Sequence, residues 1–143
     1  MNPKIKLLTE QFNESYRKFQ EQMKTTFHEC CKEIFEKYPD LKNFSVIGYT
    51  PYFNDGDECT YSLHAYWDYG LTLNGYNQDD FSGNRKSDEK IDGYTYAEYE
   101  KIGEEIESFL NSIPDSFFKD AFGDHCRIII SRENVTTEGY DHD

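Results

Sequence analysis

Leu8, Phe12, Tyr16, Phe19, Met23, Phe27, Cys30, Ile34 and Tyr38 recur at steps of three and four residues. That spacing predicts one amphipathic helix over residues 5–38. Asn2 and Pro3 make a good opening, because Asn can cap free backbone amides and Pro at the first helical position loses no needed donor. Pro39 stops the pattern. At about 1.5 Å per residue the helix reaches roughly 50 Å, longer than a small domain is wide. Its 11-residue repeat implies a nearly straight path rather than a left-handed zipper. Such a stripe must be covered. The expected arrangement lays the helix along the whole of a sheet; the alternative buries its far end in a homodimer, as in a structural or assembly protein that oligomerises through residues 5–38.

The remaining pattern alternates between strand and helix. Phe44 to Phe53 reads as a strand disturbed by Pro51, and Asn54-Asp55-Gly56-Asp57 has the chemistry of a hairpin turn. Residues 60–67 alternate with period two, placing Leu63, Ala65 and Trp67 on one face. A further strand is expected over 69–73, then a flexible polar loop over 74–93. Thr95 and Glu98 form a capping box ahead of a helical stripe that ends at Pro114. A short helical segment closed by Gly123 follows, then a strand over 126–131 whose three isoleucines leave it no exposed face, and an outer strand over 135–140. The order is α-β-β-(β)-α-β-β. It predicts a single α+β domain over 1–143, with an antiparallel sheet of four to five strands and the long N-terminal and second helices packed on one face.

Charge constrains the partners. The net charge is -13, and aromatics make up 17% of the chain, which opposes an acidic disordered segment. Residues 1–38 hold seven bases and six acids, so the remainder carries a net -14. No Lys or Arg occurs between Lys42 and Arg85. A field of that sign repels nucleic acid and anionic membrane and attracts basic protein surfaces. Four Cys without CxxC spacing read as reduced thiols. With no apolar leader or membrane-length run in the sequence, a cytoplasmic protein is expected.

Catalytic signals are weak. Asp55, Asp57 and Glu58 offer hard oxygen ligands but do not follow an EF-hand pattern, and a turn already accounts for them. A metal-dependent hydrolase using Asp55, Asp57, His125 and His142 is the enzymatic alternative, without any HxxxH or CxxC signature behind it. Cys126 with His125, or Cys59 with His64, would pair only by chance proximity. The expectation is a non-enzymatic protein without metal or cofactor.

The acidic, ring-bearing segment is the stronger candidate. Asp55, Asp57, Glu58, Asp68, Asp79 and Asp80 supply the field, with Tyr52, Tyr66 and Tyr76 as anchors. Carboxylates on a rigid sheet can stand where phosphates would lie in a basic groove, so mimicry of nucleic acid is one version of this binding. Two stretches, GYTPYFNDGDECTYSLH and FGDHCRIIISRENVTTEGYDHD, resemble small proteins of bacteriophages and some bacteria without an assigned activity. They span under a third of the chain. The resemblance carries over no catalytic residue; it implies an accessory protein that binds and disables a host or defence protein in the host cytoplasm.

Overall fold

The computed structural model describes residues 2–52, 56, 58–83 and 85–141. Helix α1 spans Pro3–Lys37, and the Asn2 side chain accepts the Lys4 backbone N–H at 2.8 Å. Its apolar stripe meets two fates. Phe27, Cys31, Ile34 and Phe35 are buried, whereas Ile5, Leu8, Phe12, Tyr16 and Phe19 stand in solvent. The expectation that α1 lies along the whole sheet is therefore corrected. The longest strand has seven residues, about 23 Å at the usual rise per strand residue. A helix of about 50 Å overshoots it. The buried register also passes from Cys30 to Cys31, because the core meets α1 on a flank of the periodic stripe.

The sheet is antiparallel throughout. Strands β1 (Asn43–Tyr49), β2 (Ser62–His64), β4 (Cys126–Ser131) and β5 (Val135–Gly139) take the order β2-β1-β4-β5. The two-residue β3 (Thr72–Leu73) pairs with β1 next to Phe44, beyond the reach of β2. With helices α2 (Tyr96–Asn111) and α3 (Asp115–Phe122), the fold is α+β with five strands. Two expected strands are shorter than their patterns. β1 ends at Tyr49 because the Thr50 N–H goes to the Asp124 carboxylate at 2.8 Å instead of a strand neighbour, and Pro51 has no donor to offer. Past His64, Tyr66 and Tyr69 exchange backbone bonds and fold the chain back on itself. Gly70 closes that turn at φ 96°, where a Cβ would lie 2.1 Å from the His64 carbonyl oxygen. The Asn54–Asp57 turn falls largely outside the described residues; Gly56 takes φ 76°.

Rings build the core, as the aromatic content implies. Phe27 meets Phe109, Phe117, Phe118 and Phe122 with centroids 5.5–6.4 Å away. Phe81 joins Trp67, Tyr76, Tyr96 and Tyr99 in a second group. Thr95 and Glu98 form the expected reciprocal cap on α2, and Gly123 ends α3. In β4, Ile128 and Ile130 are fully buried, but Ile129 is only half-buried. The expectation of a strand with no exposed face fails because Ile129 points away from the core that takes Ile128 and Ile130. Within 74–93 a 3₁₀ turn, Gln78–Phe81, is capped by Asn77, and its Phe81 is driven into the core. Asn74, at φ 53°, ties the start of that segment to Lys42 and Tyr99.

Candidate functional site

Strand periodicity divides β1 between two environments. Phe44 and Val46 belong to the core beneath the helices, and Ser45, Ile47 and Tyr49 point to the other side. Across the ladder, Ser45 faces Ile129 and Ile47 faces Arg127. The segment 66–79 folds over part of this second face and leaves a groove of about 190 Å³, lined among others by Asp68, Tyr69, Thr72, Asp79, Arg127 and Tyr140. Small-molecule sites usually enclose about 300–1,000 Å³. At that size the groove suits a side chain or a few atoms.

Arg127 organises its floor. One guanidinium nitrogen donates to Ser45 Oγ at 3.1 Å, the Nε lies 3.6 Å from Glu138, and the group sits over the Tyr140 ring. Ser45 Oγ in turn contacts Thr72 Oγ1 at 2.5 Å. Among the described residues the one base that lines the groove is thus matched by Glu138, and Asp68 and Asp79 have no ion pair. Beside them Tyr49, His64, Tyr69 and Tyr140 form a ring cluster, with Tyr49 and Tyr69 hydroxyls 2.9 Å apart. The bond to Tyr49, with burial second, raises the Tyr69 pKa above its ordinary value.

The sequence-predicted residues scatter in part. Asp68 and Asp79 share the groove wall. Tyr66 is exposed in the same 66–70 turn, and Tyr52 is exposed with its ring stacked on His125 at 4.9 Å. Glu58 is exposed near the β1–β2 connection. Asp80 is absorbed by the fold: its carboxylate accepts the Asn77 N–H at 2.8 Å in a capping box. Tyr76 is half-buried, with its ring against Phe81 and Tyr99. Asp55 and Asp57 lie outside the described residues. Tyr69 and Arg127 were missed. The signal available for Arg127 was a lone base opening an isoleucine strand.

The enzymatic alternatives gain little geometry. Asp55, Asp57 and His142 lie outside the described residues, and His125 alone of that set is placed. Among the described residues no three His, Cys, Asp or Glu side chains converge as metal ligands would. All four cysteines are free thiols. Burial, with Cys30 adding a smaller push, raises Cys31 to about 12, and burial followed by Asp124 raises Cys126. Thiols held protonated in this way are poor nucleophiles. No helix is long and apolar enough to cross a membrane among the described residues. No protein-family model matches the chain, and no curated protein or solved structure is significantly similar to it.

Proposed function

We propose that the chain is a non-enzymatic acidic binding module that occupies a basic surface of a host protein, in the manner of a small phage inhibitor. The observation that carries this reading is the pair Asp68 and Asp79, which have no ion pair among the described residues and wall a groove of side-chain size. Exposed Tyr66 and Tyr69 stand in the same turn as Asp68. An arginine or lysine of the partner enters the groove, and the rings supply the desolvated contact that charge alone does not. The net charge of -13 steers the encounter and makes it salt-sensitive. If the partner is a nucleic-acid-binding protein, the carboxylates take the place of phosphates.

Affinity purification from the native host tests the reading, with wild-type chain compared against the Asp68→Lys/Asp79→Lys variant. The expected result is a basic partner retained by the wild type and reduced at least roughly tenfold on the variant, since each reversed contact turns attraction into repulsion. Undiminished capture by the variant removes the groove as the site. A partner lost only on reversal of Asp55, Asp57 and Glu58 moves the site to the β1–β2 connection. Stoichiometric transition metal in the purified protein would instead favour the hydrolase.

A further inference from the structure

The N-terminal half of α1 is an apolar face without a cover. At about 100° per residue, Ile5, Leu8, Phe12, Tyr16 and Phe19 fall on one strip, and half-buried Met23 prolongs it. The strip lies about 80° round the helix from Gln20, Phe27 and Cys31, which face the body. It is not an extension of the core contact. Aromatic side chains carry about 150–250 Å² each, so at their observed exposure the strip leaves roughly 600 Å² of apolar surface in water. That is the upper end for the largest patch on a monomer, and near the ~800 Å² one partner gives to a standard interface.

We infer that a second copy of this chain covers the strip, with the two helices antiparallel. Three observations select that occupant. The first is the spacing, which reads nearly the same in both directions. An antiparallel pair centred near Asn13 and Glu14 brings Ile5 to Met23, Leu8 to Phe19 and Phe12 to Tyr16 of the opposite copy, so each apolar layer meets another. The second is the placing of charge. Glu10, Glu14, Arg17, Lys18, Glu21 and Lys24 all turn to the other side of the helix, and between residues 8 and 23 the strip is bordered by Thr9, Gln11, Asn13, Ser15, Gln20 and Gln22. A neutral border can be desolvated against itself, as pairing with a second copy requires.

The third is the field of the body. Residues 39–143 carry a net -14, and parallel helices would set two such bodies side by side. Antiparallel pairing holds the two Phe27 positions roughly 40 Å apart along the helix axis, several Debye lengths at physiological salt. Repulsion then opposes the parallel form far more than the antiparallel one. This inference does not rest on the proposed function.

The test is the mass of the full chain in solution, read by light scattering across a concentration series, with Phe12→Asp as the variant. The wild type is expected at twice 16.9 kDa, and Phe12→Asp is expected to weaken dimerisation at least roughly a hundredfold, as central interface anchors do. Unchanged circular dichroism and Trp67 fluorescence of the variant at matched monomer concentration would show that the body still folds. A wild type that stays monomeric at about 100 µM, far above the concentrations at which a standard interface forms, overturns the inference. So does a dimer indifferent to Phe12→Asp. Orientation is read by oxidising a mixture of Leu8→Cys and Phe19→Cys chains, each also carrying Cys30→Ser. The mixed disulfide is expected; predominant linkage of Leu8→Cys chains to one another overturns the antiparallel form.

Discussion

The two halves of α1 share one periodicity and differ in everything that periodicity is usually taken to mean. From Phe27 to Lys37 the helix is part of the core: Phe27 is gripped by rings from α2 and α3, and Phe35 stacks on Phe44 of β1 at 5.5 Å. From Pro3 to Phe19 the same kind of residue stands in water. An apolar stripe states that a helix has a side to bury; it does not state what buries it. The boundary falls near Gln20, whose side-chain amide donates to the Asp120 carbonyl of α3 at 2.6 Å and is the first described tether between α1 and the body.

Substitutions in the two halves should separate accordingly. Phe27→Ala is expected to cost about 3–4 kcal/mol, because it empties a site bounded by four rings; chemical denaturation of dilute protein reads this directly. An effect below about 1 kcal/mol would mean that the anchored half contributes little to the core. Next in size is Glu105 on α2, which accepts from Lys37 Nζ at 2.8 Å and from the Tyr38 hydroxyl. The bond from Lys37 comes first, and that from Tyr38 second, in holding its pKa below the usual carboxylate range. A depressed folded pKa gives stability that is present above the unfolded value and is lost as pH falls through the folded one. Glu105→Gln should therefore cost about 1 kcal/mol at neutral pH, the pair being half-exposed, and flatten the acid limb of the stability curve below about pH 4. A parallel downward shift with an unchanged acid limb would sink the assignment. Gln20→Ala should cost about 0.5 kcal/mol and let hydrogen exchange in α1 spread toward Phe27. Phe12→Ala, measured where the protein is monomeric, should leave unfolding of the body within about 0.5 kcal/mol of wild type.

Much of this arrangement was legible in the sequence because its signals are local. Asn2-Pro3, the Thr95 and Glu98 cap and Gly123 each fix a backbone end through their own chemistry, and the α1 stripe needs no distant residue to be seen. The misreadings came from tertiary competition. The alternation over 60–67 is genuine, yet only residues 62–64 form a strand, because the reversal at Tyr66–Gly70 draws the chain away from β1. Asp80 looked like free surface charge until Asn77 placed its N–H on it. Tyr76 reads as an anchor in the sequence, but Phe81, five residues further on, draws the segment into the core. The groove depends on Arg127 and Tyr69, which lie far apart in the chain and meet only when β4 pairs with β1.

Gly103 bears on how that groove is presented. A Cβ there would stand 3.1 Å from the Trp67 indole, so its absence lets the ring seat directly on the backbone of α2. Trp67 is the residue immediately before Asp68 and Tyr69. The wall of the groove is thus bolted to a helix at one end and closed by the Gly70 turn at the other. Its carboxylate and phenol are displayed on a stiff mount rather than a loose loop, and a partner of the kind proposed would spend little of its affinity on ordering the surface it finds.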